Sequence, residues 1–184
     1  MIVMMGPVGA GKGTQSDFLA DEIGYTHLAS GDLARSYAND EQRARMLKGE
    51  YLRDEEIMGL IEAALSKLPQ ANRIILDGIP RTMTQLDWLL RGADNGRWKI
   101  EAVFYLMVSP EVAWERMRKR GREDDSESAI AARTKFYKTE TDPLLTSLRE
   151  RGFPIYDIDG AQSPEEVKRA IALRVSGLRL QANA

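Results

Sequence analysis

Between an apolar run, Ile2-Val3-Met4, and a segment of helical character lies Gly6-Pro7-Val8-Gly9-Ala10-Gly11-Lys12-Gly13-Thr14, with four glycines in eight positions. Glycine at this density weakens a strand or a helix, because each one adds backbone freedom that folding must remove. An anion-binding loop accounts for it. Without Cβ atoms, successive backbone N–H groups curl round a phosphate, the following helix points its positive end at the same place, and Lys12 adds a mobile charge. The spacing fits GxxxxGK from Gly6 to Lys12, with the hydroxyl one place late at Thr14 because Gly13 intervenes. A flexible glycine turn is the alternative, but it does not explain why strand, glycines, lysine, hydroxyl and helix follow in this order. The loop points to a nucleotide and leaves the reaction open.

The remaining chain alternates strand and helix signals. A helix is predicted over 14–23, with Phe18, Leu19 and Ile23 inward and Gly24 ending it. Residues 25–28 read as a short strand carrying His27, the only histidine, which is read as structural rather than catalytic. Residues 30–68 are helical and polar, two helices' worth, and Asp54 is expected to cap a helix whose Ile57, Leu60, Ile61, Ala64, Leu65 and Leu68 share one face. A buried strand, 73–77, ends in Asp77, where ligands sit in open α/β sheets. Asp77 is therefore a candidate for holding Mg²⁺ through water, with a turn-capping aspartate as the alternative.

Further on, Thr82 opens a helix through Leu90 that Gly92 is expected to stop. Residues 103–108 form a continuously apolar strand, and Ser109-Pro110-Glu111 starts a helix to about Arg120. After a polar break at 121–125, Ser126 starts another helix, Asp142-Pro143 restarts one after a kink, and Gly152 closes it. Residues 154–158 are the fifth strand. Ser163-Pro164-Glu165-Glu166 is a capping box for a final helix with Val167, Ala170, Ile171, Val175 and Leu178 inward. The pattern predicts an α/β three-layer sandwich, a five-stranded parallel sheet with helices on both faces.

At 184 residues the chain suits one domain, expected to have a core of 1–29, 69–119 and 138–184 with excursions at about 30–68 and 120–137. A net charge of −2 offers no basic field for nucleic acid. The absence of cysteine excludes disulfides and thiolate metal sites. No apolar run approaches the roughly 20 residues of a membrane span, and the first strand leaves no room for a cleavable leader, so a cytoplasmic enzyme is expected. A GTPase needs an Asn-Lys-x-Asp guanine reader, which is missing; Asp157-Ile158-Asp159-Gly160 matches D-x-x-G in letters only and lies too late.

Four motifs together resemble the adenylate kinase family of nucleoside monophosphate kinases, in its short-lid form. Gly6 to Gln15 is similar to G-P-x-G-x-G-K-G-T-Q, Ser30 to Arg35 to T-G-D-x-x-R, and Asp77 to Gln85 to D-G-F-P-R-x-x-x-Q. Arg122-Glu123-Asp124-Asp125, with Arg133 and Tyr137, resembles the lid's R-x-D-D, R and Y. The resemblance implies phosphoryl transfer from ATP to AMP with Mg²⁺, by a monomer that binds small nucleotides and has an acceptor-binding insert at 30–68 and a lid at 120–137. Gly9, Ala10, Gly11, Lys12, Gly13 and Thr14 would cradle the ATP phosphates, Arg116 would lie over the ATP base, and Gly160 would offer it backbone. Ser30, Arg35, Glu50, Tyr51, Leu52, Gly78, Ile79, Pro80, Arg81 and Gln85 would line the acceptor side, with Arg35 and Arg81 on its phosphate and Gln85 on the adenine. Lys12, Arg81, Arg120, Arg122 and Arg133 would be catalytic, and Asp124 and Asp125 would orient lid arginines.

Physical chemistry agrees with that class of reaction. Bringing two phosphate chains together demands neutralisation and alignment, for which the planar arginine fork is well suited. A phosphate oxygen already ionised at pH 7 needs no general base. Duller readings stand beside these: Thr82 and Gln85 form a capping box, Arg116 and Arg120 suit a solvated helix face, and Asp124 and Asp125 suit a helix N-terminus. The alternatives are a kinase preferring CMP, UMP or another monophosphate, and a non-catalytic nucleotide-binding regulator. Departures from the family pattern are Ser30 for threonine, Ile79 for an aromatic residue, Arg53 where many members have proline, and a lid with only Gly121 between Arg120 and Arg122. So short a lid is expected to exclude water less well.

Overall fold

The chain's first strand is also its most enclosed: Met1 to Met5 are each 3% exposed or less. Burial on both faces requires neighbours on both edges, and β1 (Ile2–Met5) has them, with Val3 set between Leu76 of β3 (Ile74–Asp77) and Val103 of β4 (Ala102–Met107). The computed structural model describes residues 1–68 and 73–182, and the side chains up to 177. With β2 (Thr26–Ala29) and β5 (Ile155–Asp159) on the flanks, the sheet is fully parallel in the order β2-β3-β1-β4-β5. The order reverses at β1, so the glycine loop leaves the sheet at its topological switch point, where such folds bind ligands.

Helices cover both faces, as the alternation of the strands requires. Val3, Met5, Leu76 and Val103 pack with Ile61 of α4 (Asp54–Leu65), with Leu86 and Leu89 of α5 (Met83–Asp94), and with Leu144 and Leu148 of α8 (Asp142–Glu150). On the other face Ile2, Met4, Ile75 and Phe104 pack with Leu19 of α1 (Lys12–Ile23) and with Val167, Ile171 and Val175 of α9 (Pro164–Ala182). Phe18 and Ile23 are only half-buried, and Leu178 lies outside the described side chains.

Local signals placed most helix starts correctly. Ser109 Oγ accepts from Val112 N at 3.3 Å to open α6 (Pro110–Arg120), and Ser126 Oγ accepts from Ala129 N at 3.2 Å to open α7 (Glu127–Phe136). Ser163 and Glu166 bond reciprocally at the start of α9.

Four expectations are corrected. The insert holds three helices, α2 (Ser30–Tyr37), α3 (Asp40–Leu47) and α4, where two were expected. Asp54 is the first residue of α4 and not its cap, because its carboxylate is held elsewhere. The kink before α8 is a π-helical turn, Tyr137–Thr141. Gly92 does not stop α5, which runs on to Asp94. Instead it admits Trp98: a Cβ at Gly92 would sit 1.9 Å from the Trp98 ring, which is buried and anchored by its Nε1–H on Leu89 O at 2.9 Å. Gly92→Ala is expected to cost about 1–3 kcal/mol in urea unfolding, since that ring has nowhere to go. An unchanged midpoint would contradict this packing.

Candidate active site

The loop's glycines are required by its surroundings. Gly9 has φ +87°, and a Cβ there would come within 2.5 Å of Ala113 O on α6, so the loop lies flat against that helix. Lys12, at the first turn of α1, reaches back across the loop and donates to Gly6 O at 2.8 Å and Pro7 O at 2.9 Å. Burial lowers its ammonium to about 8; nearby Asp77 resists the shift, while Arg81 and Arg120 add to it.

Two consequences follow from that value. The free protein is expected to gain stability as pH rises from about 8 towards 10.5, because between those values the unfolded chain binds the proton more tightly than the fold does. The charge of Lys12 is lost in the fold as pH passes through about 8. If the lysine grips the donor, kcat/KM for Mg-ATP falls as pH passes through about 8. A flat profile from about pH 6 to about pH 10 would contradict this.

Arg116 ties the loop to the segment after β5. Its Nη1 donates to Gly160 O at 2.7 Å and Ala10 O at 3.5 Å, and its Nη2 reaches Ala161 O and Gln162 O. It is therefore not a solvated helix face. Gly160 N donates to Met107 O, so both backbone polar groups of Gly160 are engaged within the protein.

The residues expected on the acceptor side gather at the turn after β3. Gly78 takes φ +77°, and a Cβ there would strike Ser30 Oγ at 2.6 Å and Arg81 Nη2 at 2.8 Å. Its carbonyl accepts from both Ser30 Oγ at 2.9 Å and Arg81 Nε at 2.5 Å. Gln85 is 3% exposed, with its amide fixed at both ends: Oε1 accepts from Arg81 N at 2.7 Å, and Nε2 donates to Asp54 Oδ1 at 2.7 Å. The other Asp54 oxygen accepts from Thr82 Oγ1 at 2.8 Å. Thr82 does cap α5, accepting from Gln85 N, but the reciprocal bond reaches Arg81 N and not the cap's own N–H.

Of the three arginines in the expected lid, Arg120 and Arg133 are held by carboxylates. Asp125 takes Arg120 through two bonds, at 2.9 and 2.7 Å, and Asp124 takes Arg133 Nη2 at 2.7 Å and lies 3.9 Å from Arg35. Burial raises the Asp124 carboxyl, yet Arg133 and Arg35 outweigh it and keep the pKa below its usual value. Arg122 is pulled below its ordinary value by burial and by the charges of Arg120 and Arg35. Arg133 also donates to Met46 O at 3.2 Å, so the segment after α6 touches the helices between β2 and β3.

These groups share one cleft of about 560 Å³. Its wall includes the loop from Gly9 to Thr14, Ser30, Glu50, Tyr51, Leu52, Asp77, Gly78, Gln85 and Gly160, together with six arginines: 35, 81, 116, 120, 122 and 133. Two expected residues do not face it. Ile79 is 1% exposed within the apolar core, and Pro80 lines a separate cavity of about 20 Å³, because the turn at Gly78 carries both inward.

Asp77 sits at the end of β3 beside this loop, with Oδ2 3.5 Å from His27 Nε2, while His27 Nδ1 lies 2.7 Å from Asp17. Burial lowers the His27 pKa, but the two aspartates outweigh it and leave it raised. Among the described residues no group of three or more His, Cys, Asp or Glu could chelate a metal. A lone carboxylate facing a phosphate loop nevertheless fits Mg²⁺, which keeps its waters and takes its other ligands from phosphates.

Sequence reasoning missed Asp54 as the partner of Gln85, and no local signal marks it, because the two are 31 positions apart.

A parallel sheet with a glycine loop at its switch point, opening on a cleft lined by arginine, defines a phosphate-loop α/β nucleotide-binding protein. The family model described as adenylate kinase matches residues 4–153. The adenylate kinase of Corynebacterium urealyticum is 37% identical over 177 residues, 92% of this chain and 95% of that one. That of Parasynechococcus marenigrum is 36% identical, over 92% and 95%, and that of Nocardia farcinica 34%, over 96% and 98%. The chain belongs to the adenylate kinase family.

Proposed function

We propose that the protein transfers the terminal phosphoryl group of ATP to AMP, yielding two ADP. A phosphate oxygen of AMP forms the new bond to the γ-phosphorus as the bond from that phosphorus to the bridging oxygen of ADP breaks. The observation that carries this reading is the convergence of Lys12 with Arg35, Arg81, Arg120, Arg122 and Arg133 on one cleft. That is more phosphate-binding side chains than one nucleotide needs, and they are arranged as transfer between two anions requires.

Lys12 and the loop N–H groups hold the donor phosphates, Arg35 and Arg81 hold the acceptor phosphate, and Arg120, Arg122 and Arg133 neutralise the charge between them. Asp77 would hold Mg²⁺ through water, and the ion would add positive charge at the donor phosphates. The fixed amide of Gln85 presents an acceptor and a donor side by side, the pattern that pairs with an adenine edge. This favours AMP over CMP or UMP. Residues 30–68 act as the acceptor-binding insert and 120–137 as the lid, and contact between them sequesters the reaction. One chain supplies every group named, which supports a monomer. Its phosphate-binding groups are recessed in a cleft, which suits small nucleotides and not nucleic acid. A cytoplasmic location is part of the same reading; no helix among the described residues is long and apolar enough to cross a membrane.

The test offers purified protein Mg-ATP with AMP, CMP, UMP, GMP or dTMP and quantifies the diphosphates. ADP from AMP should dominate. Faster turnover of a pyrimidine acceptor would reassign the base, and no product from any acceptor would leave a nucleotide-binding regulator.

A further inference from the structure

Tyr51 lies in the segment joining α3 to α4, and its ring meets Arg81 face-on, with Cζ 3.9 Å from the ring centroid. Phe136 of α7 abuts the ring edge to face, with centroids 5.0 Å apart at 68°, and Arg133 Cζ lies 5.9 Å from the centroid. The ring thus touches both the insert's partner arginine and the lid.

The cleft's arginines are held in different ways. Arg35, Arg120 and Arg133 are paired with carboxylates, and Arg116 with carbonyls. Among the described residues, Arg81 has no carboxylate within 4.0 Å. Its Nε is fixed on Gly78 O, while Nη1 is buried without a hydrogen-bond partner. A carboxylate would order this side chain but would cancel its charge and have to be displaced by an incoming phosphate. An aromatic face attracts a cation through its quadrupole and accepts none of its in-plane N–H groups. It can therefore order the guanidinium and leave its charge and donors for an anion.

We propose that Tyr51 is a positioning residue for Arg81, holding the guanidinium flat by its ring face at the cleft wall so that its charge stays uncancelled for the acceptor phosphate. Tyr51 then belongs to the acceptor side through Arg81. Because Phe136 supports the ring edge, the setting of Arg81 also depends on the lid and insert being in contact. The hydroxyl takes no part, since Tyr51 makes no side-chain hydrogen bond among the described residues. This rests on the phosphoryl-transfer reading above.

Tyr51→Leu and Tyr51→Phe separate ring from bulk. With AMP varied at saturating Mg-ATP, Tyr51→Leu is expected to lose about tenfold in kcat/KM, the size of a desolvated cation–ring contact. Tyr51→Phe, which keeps the ring, recovers most of that loss, and KM for ATP is unmoved in both. Wild-type AMP kinetics in Tyr51→Leu would overturn the proposal, as would an equal loss in Tyr51→Phe or an equal loss on the ATP side. Calorimetric AMP binding gives the same answer without turnover, with affinity weakened mainly in Tyr51→Leu. A wild-type protein that binds AMP with this pattern yet forms no ADP would overturn the functional reading and leave the role of Tyr51 standing.

Discussion

Arg81→Ala is expected to cut turnover with AMP on the order of 10³-fold, the low end of what losing an arginine costs a phosphoryl-transfer site. The fold should survive. Arg81 enters the turn through its backbone N–H on Gln85 and its carbonyl on Thr141 Oγ1, and both bonds are kept in alanine. What disappears is a guanidinium on the cleft wall that no carboxylate holds and whose Nη1 is buried and unpartnered among the described residues. Arg81→Lys should recover only part of the rate, because an ammonium restores charge without the planar fork. A near-normal rate in Arg81→Ala, measured by coupled assay alongside a thermal melt, would remove Arg81 from the acceptor phosphate.

Lys12→Met separates function from stability in the opposite sense. Losing the loop's only ammonium is expected to lower kcat with Mg-ATP on the order of 10²–10³-fold. The same change removes a buried charge whose ammonium is already depressed to about 8, so the variant should melt at or above the wild-type temperature at neutral pH. A variant that is both less stable and fully active would contradict the assignment on both counts.

The parts of this molecule legible in its sequence are those decided locally or by repetition. Ser109, Ser126 and Ser163 mark helix starts because a hydroxyl bonds a backbone N–H three residues on. The strand runs are apolar because both faces are covered. Where the reading slipped, distant partners decided. Gly92 looked like a stop but is the space into which Trp98 packs, and Asp54 looked like a cap but bonds Thr82 and Gln85 at the start of α5. Ile79 and Pro80 follow the phosphate turn in sequence, yet the φ of Gly78 sends them inward. The arginines were named through the resemblance of their motifs to the adenylate kinase family. Their counter-ions were legible for Asp124 and Asp125, but the face of Tyr51 under Arg81 was not, because nothing in the spacing of 51 and 81 says that they meet.

Isothermal titration calorimetry with two adenosines joined through five phosphates tests directly whether the cleft aligns two nucleotides end to end. The expected result is a single site of one-to-one stoichiometry, bound at least about 100-fold more tightly than ATP or AMP alone, since joining the halves removes one association cost. Affinity no better than that of ATP, or two equivalent sites for the linked ligand, would contradict the convergence of Lys12 and the five arginines on one transfer path.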